Sequence, residues 1–261
     1  MELHNSTILI TGGTNGIGLE FAKQLMEQGA KVIVTGRNVD KLNQTKKLFP
    51  EINIIQSDLN DTGEIKALYQ QVSTQYADLN IIINNAGVMH SVDLHDKNMD
   101  LERITDEIDT NFSGTVRMIH QFLPHLMTKR SSAIVNITSG LAFIPFTISP
   151  IYCGTKAGIH IYSQALRVQL KDTYVKVFEV APPKTDKPLQ TAIPEEPNSR
   201  DMKVDQMVRV AIKGILNDKM EIRPGLSNVM KWMSRIAPDF FTKLIDKNIR
   251  NAKLKAARKA S

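Results

Sequence analysis

A chain of 261 residues with 42% hydrophobic and 23% charged residues has the size and balance of one substantial α/β domain, and no apolar run reaches the roughly 18 residues of a membrane-spanning helix. The net charge of +6 belongs to the end of the chain: residues 240–261 hold seven Lys/Arg and one acid, Asp246, while the rest is neutral, so the basic pI is no argument for nucleic-acid binding. The single cysteine, Cys153, excludes an internal disulfide, and with no secretory signal at the N-terminus it points to a cytoplasmic setting.

Short β-branched runs at residues 7–11, 31–35, 52–56, 79–84, 133–138 and 175–181 alternate with helix-length segments. Near-continuous apolar strands are expected where both faces of a parallel sheet are covered, so the alternation predicts a doubly wound parallel α/β fold. The first run enters Thr11-Gly12-Gly13-Thr14-Asn15-Gly16-Ile17-Gly18, and Gly18, Phe21, Ala22 and Leu25 then recur at helical spacing up to Gly29, a natural terminator. Glycines 12, 16 and 18 allow a sharp turn, close approach to a pyrophosphate and tight helix–strand packing. The loop containing Thr14, Asn15 and Ile17 then presents helix N–H groups to phosphates. A tight turn uses the same residues, but a strand before and a helix after favour dinucleotide binding.

The second strand ends in Thr35-Gly36-Arg37-Asn38, where a carboxylate would accept from a ribose 2′-hydroxyl and repel a 2′-phosphate. Arg37 offers a fork of donors to that phosphate, with Asn38 beside it, which favours NADP(H) over NAD(H); the alternative is a solvated loop arginine. After the third strand, Asp58 suits the adenine amino group, with Leu59 next to it, although Asp58 also reads as a turn or cap residue. Asn84-Asn85-Ala86-Gly87 closes the fourth strand at the carboxyl edge of the sheet, where small residues and backbone suit a passing ribose or simply shape a turn.

Tyr152 and Lys156 are one helical turn apart, thirteen and seventeen residues after Ser139, and Asn111 lies in a helix-like segment. Hydride transfer to a ketone leaves an alkoxide that needs a proton donor and electrostatic stabilisation. A free tyrosine, with a pKa of about 10, is a poor acid near neutrality. A neighbouring lysine cation is therefore expected to pull the Tyr152 pKa down. Tyr152 is the general acid for reduction and base for oxidation, Lys156 its tuner, and Ser139 the group that orients the substrate oxygen.

The order and spacing of the glycine loop, Asn84–Gly87, Asn111, Ser139 and Tyr152-xxx-Lys156 resemble the short-chain dehydrogenase/reductase family over roughly residues 5–185. The resemblance implies a single Rossmann-type domain with a seven-stranded parallel sheet. It further implies ribose contacts from Lys156, a water held by Asn111, carboxamide contacts near Pro182 and Thr185, and a homodimer or homotetramer. The family's Pro-Gly after strand six is replaced by Ala181-Pro182-Pro183, whose second proline has no donor and a fixed φ. A finer resemblance, to a bacterial oxidoreductase branch found beside D-alanylation genes, rests on this stretch and on residues 236–241.

Leu141, Phe143, Ile144, Phe146 and Ile148 either pack under the active-site loop or line a pocket for an apolar carbonyl or alcohol. The six histidines show no metal-ligand spacing, so no metal is expected. Residues 1–239 are expected to form the oxidoreductase domain, with a lid near 184–203 and with two helix-like pieces after Leu226 split by Pro238. Residues 240–261 form a basic amphipathic extension suited to weak membrane-surface contact or to docking on the domain. A non-catalytic dinucleotide sensor is the alternative; the intact Ser139, Tyr152 and Lys156 set disfavours it.

Overall fold

The computed structural model describes residues 1–186 and 201–260. Seven strands, β1 (Thr7–Thr11), β2 (Lys31–Gly36), β3 (Asn53–Gln56), β4 (Leu79–Asn84), β5 (Ser132–Ile137), β6 (Val175–Val180) and β7 (Glu221–Ile222), form one sheet in the order β3-β2-β1-β4-β5-β6-β7. Every pairing is parallel. Side chains alternate between two cores, as the pleat requires. Ile8, Ile10, Val32, Val34, Ile81 and Ile83 face one, whereas Leu9, Ile33 and Ile82 face the other. Since both layers are apolar, each strand reads as a continuous run rather than as an alternation.

Helices α1 (Gly16–Glu27) and α7 (Val204–Leu216) cover the first face through Phe21, Ala22, Leu25, Val208, Ala211 and Ile212. Helices α3 (Thr62–Gln75), α5 (Gly114–Met127) and α6 (Pro150–Gln169) cover the second through Leu68, Val72, Ile119, Phe122 and Leu166. Helix α2 (Val39–Leu48) joins β2 to β3, and α4 (Leu101–Glu107) runs into a π-helical segment, Ile108–Ser113, that continues as α5. Gly29, at φ +82°, ends α1 as expected: its N–H donates to the Met26 carbonyl and the Ala30 N–H to that of Leu25.

The strands fall within a residue of their expected bounds. The seventh, implied only by the family resemblance, has two residues and so carries no periodicity of its own. Pro238 does divide two helices, α8 (Ser227–Ile236) and α9 (Pro238–Ala260). Of the expected lid, the described ends meet where Thr185 bridges Met202 in parallel; residues 187–200 lie outside the described residues. From β1 the chain winds outward to β3, then crosses back to β4. The carboxyl ends of β1 and β4 therefore border the switch point where ligands of open α/β sheets sit.

Candidate active site

Thr11 closes β1 and stitches it to the end of β4. Its hydroxyl accepts from the backbone N–H groups of Asn85 and Ala86 at 3.0 and 3.1 Å, and the Asn85 side-chain amide donates to the carbonyls of Thr11 and Gly12, both at 3.0 Å. Asn85 therefore shapes the loop with its side chain, leaving Ala86 and Gly87 to border the cleft. A Cβ on Gly12, whose φ is +65°, would stand 2.8 Å from the Ala86 Cα, and one on Gly18 would stand 2.4 Å from the Asn85 amide nitrogen. Contact requires both glycines, and conformation requires Gly12 as well. Asn15 precedes α1 without a side-chain cap, and the first turn of the helix holds no acid. The N–H groups that follow Thr14, at Gly16, Ile17 and Gly18, form a positive helix end fit for a pyrophosphate.

At the far end of the cleft Arg37 is exposed, and its Nη1 lies 3.8 Å from Asp58 Oδ2. β2 ends without a carboxylate. Asn38 caps α2, accepting from the Lys41 N–H at 2.9 Å, and Asp58 Oδ1 accepts from the Asn60 N–H at 2.9 Å. Leu59 is a core residue: a Cβ on Gly114 would stand 2.8 Å from its own Cβ, so its side chain anchors the β3 exit on α5.

Asn111 sits in the π-helical segment, a local widening that recurs at functional sites. Its Oδ1 accepts from the Val88 N–H at 2.8 Å, while Nδ2 donates to the Val88 carbonyl at 2.8 Å and to Thr155 Oγ1 at 3.2 Å. The side chain to which the resemblance gave a water thus has a structural task, tying the β4 exit to α6. Gly87 lies between Asn111 and Lys156, 3.2 Å from Oδ1 and 3.5 Å from Nζ when measured from a Cβ built on it.

Tyr152 and Lys156 are both buried on α6, with Nζ 5.7 Å from the Tyr152 ring centroid. Lys156 Nζ donates to the Ile137 carbonyl at 2.9 Å, and Ser139, at the start of the 3₁₀ turn Gly140–Ala142, lies beside the Tyr152 hydroxyl. Burial pushes the phenol above its usual range against the lowering effect of Ser139, and burial brings Lys156 down to about 8. The expectation that Lys156 pulls Tyr152 down is therefore corrected for the protein's own groups. Desolvation dominates both residues, and the phenol is held in its protonated form.

Sequence reasoning missed Glu107. It is buried, accepts from the His90 N–H, faces Tyr152, and has its carboxyl raised by burial. No motif marks it, because its partners are backbone groups. Also missed was a buried polar chain behind the Ser139 turn. Glu179 accepts from Thr138 at 2.8 Å and meets His160 at 2.8 Å, Arg167 joins Glu179 to Glu221, and Lys231 of α8 lies 2.7 Å from Glu221. Burial raises the Glu221 carboxyl, but Lys231, Arg167 and Arg223 outweigh it and bring the group to about 2. The Pro182 carbonyl accepts from the Gly140 N–H at 2.8 Å, and Thr185 is buried in its bridge to Met202. A cavity of about 630 Å³ lies beyond the turn, lined by Leu141, Phe143, Ile144, Phe146 and Cys153 among others; Ile148 is instead a core residue.

A family model described as short chain dehydrogenase matches residues 6–198. The chain is 40% identical over 224 residues to the oxidoreductase DltE of Bacillus subtilis (strain 168), covering 85% of this chain and 89% of that protein. It superposes with a TM-score of 0.81 and 20% identity on a short chain dehydrogenase from Burkholderia cenocepacia J2315 in complex with NADP, over 94% of this chain and 99% of that one. A short-chain dehydrogenase from Sphingobium yanoikuyae in complex with NADPH gives a TM-score of 0.75 at 26% identity, over 87% and 91%. The Rossmann-type sheet, the glycine cradle and the Ser139–Tyr152–Lys156 cluster agree with these matches, and the chain belongs to the short-chain dehydrogenase/reductase family, in a DltE-like branch.

Proposed function

We propose that the protein is an NADP(H)-dependent oxidoreductase interconverting an apolar carbonyl compound and its secondary alcohol. The observation that carries this reading is a buried Tyr152 beside Ser139 and one turn from Lys156, at the carboxyl edge of the sheet. The residues present fit a dinucleotide: an uncapped helix end behind a glycine cradle, and an exposed guanidinium, loosely paired with Asp58, where an acid at the end of β2 would repel a 2′-phosphate. Bound there, NADP(H) supplies or accepts the hydride.

The chain's own groups do the rest. The N-terminus of α1 holds the pyrophosphate, Arg37 faces the 2′-phosphate, and Lys156 offers donors to the ribose hydroxyls. Ser139 orients the substrate oxygen, and Tyr152 gives it a proton during reduction. With a pKa of about 8, Lys156 restores that proton near neutrality. The apolar lining of the neighbouring cavity supports an apolar substrate. Exposed Ile161 and Val168 on α6 support assembly of copies across that helix. A dinucleotide sensor without turnover has no use for a buried phenol placed this way.

The test is NADPH oxidation on addition of a panel of apolar ketones and aldehydes. Ser139→Ala is expected to lower kcat by about a hundredfold with a smaller change in KM, because Ser139 acts as the substrate oxygen gains charge. An unchanged kcat in that variant contradicts the assignment.

A further inference from the structure

Helix α8 turns its apolar side away from the core. Ser227 is its one buried residue, whereas Val229, Trp232 and Ile236 are 49%, 62% and 76% exposed, and Leu226 just before it is 65% exposed. Spacings of three, three and four residues place these four on one stripe. Phe240 and Leu244 are also exposed at the start of α9. Scattered exposed apolar residues are ordinary on a protein surface, but a continuous stripe with a tryptophan at its centre marks an interaction site.

The charge beside this stripe identifies its partner. The whole net charge of +6 lies in residues 240–261, and Lys243, Lys247 and Arg250 are exposed at a spacing of four and three along α9. Asp246, the only acid in that stretch, is engaged by Arg250 at 2.7 Å and by the Thr147 hydroxyl at 3.0 Å. A second copy meeting this surface about a two-fold axis would set the basic helix against itself. A surface that is negatively charged at its face and apolar just beneath it accepts both features. We propose that α8 and the first turns of α9 dock on an anionic lipid bilayer, with Trp232, Ile236 and Phe240 at the headgroup level and Lys243, Lys247 and Arg250 on the lipid phosphates. No helix among the described residues is long and apolar enough to cross a membrane, so the contact is peripheral.

The docking elements adjoin the site. A Cβ on Gly140 would stand 2.9 Å from Met230 Sδ of α8, and Asp246 of α9 holds Thr147, which borders the apolar cavity. Docking therefore brings the bilayer surface beside the residues that flank the cavity. The inference does not depend on the proposed chemistry, and its test needs no substrate.

Trp232 is the only tryptophan in the chain, so intrinsic fluorescence of the full-length protein reports on this surface directly. Phosphatidylcholine vesicles containing phosphatidylglycerol are expected to shift its emission to the blue, lipids brominated on the acyl chain to quench it, and pure phosphatidylcholine vesicles to do neither. Lys243→Glu with Lys247→Glu is expected to weaken the partition about tenfold or more. Trp232→Ser with Ile236→Ser, read by vesicle sedimentation, is expected to do the same with an unchanged circular dichroism spectrum. Three results would overturn the proposal: no blue shift with the anionic vesicles, sedimentation indifferent to the apolar pair of substitutions, or a dimer in analytical ultracentrifugation that Trp232→Ser dissolves.

Discussion

Tyr152→Phe is expected to lower kcat for carbonyl reduction by about a hundred- to ten-thousand-fold, the range a positioned general acid supplies, while leaving NADPH affinity within a factor of a few. The substitution removes one oxygen and keeps the buried ring on α6, where the ring packs regardless of its hydroxyl. The neighbouring hydroxyls have other tasks: Ser139 is the group proposed to orient the substrate oxygen, and Thr155 donates to the Tyr152 carbonyl at 2.8 Å. The direction of reaction matters as well. Burial keeps the phenol protonated, so reduction finds its acid ready at neutral pH, whereas oxidation needs the phenolate and should accelerate as the medium becomes alkaline. Steady-state kinetics in both directions, across pH, measures this; retention of a tenth or more of the wild-type kcat by the phenylalanine variant would remove Tyr152 from the chemistry.

Lys156→Met should abolish turnover and yet raise stability, by about 2 kcal/mol at pH 7 in urea denaturation. Among the described residues the buried ammonium has no carboxylate partner, and its pKa falls from the ordinary 10.5 to about 8. A shift of that size opposes folding by about 3 kcal/mol wherever both states would hold the proton. The variant loses this penalty but leaves the Ile137 carbonyl without its donor, at a cost of about 1 kcal/mol. The sign with pH follows from linkage. Below pH 8 the wild-type penalty is complete. Between about 8 and 10.5 the unfolded chain binds more protons than the folded one, so wild-type stability rises with pH and the variant's advantage shrinks. The Tyr152 shift acts on both proteins and cancels in the comparison. A methionine variant less stable than the wild type at pH 7 would show that the buried lysine is a structural asset.

The strands, the glycine loop and the Tyr152–Lys156 spacing were legible in the sequence because each rests on local chemistry. β-branched runs make buried strands, a tight phosphate turn needs glycine, and four residues make one helical turn. The two residues of β7 were not legible as a strand, since their pairing comes from β6 rather than from their own pattern. The widening around Asn111 was equally hidden, since the weak helix formers of Ile108–Ser113 do not by themselves distinguish a π-helical turn from an α-helical one. Nothing local marks Glu107 or Glu179; only folding brings backbone donors to the first and His160, Thr138 and Arg167 to the second. The Tyr152 phenol was misjudged for a related reason. Sequence places a lysine near it but says nothing of how much water both groups lose. The apolar stripe of α8 shows the opposite limit: its periodicity is plain in the sequence, but only the fold reveals that it faces outward.

One calorimetric titration tests the cofactor site most directly: NADPH and NADH against the wild type and Arg37→Ala. The predicted result is NADPH binding clearly tighter than NADH, with the alanine variant losing about tenfold or more for NADPH and little for NADH, because only the former has a phosphate for the guanidinium to pair with. Equal binding of the two, unaffected by the substitution, would contradict the cofactor preference. No binding of either would contradict the oxidoreductase itself.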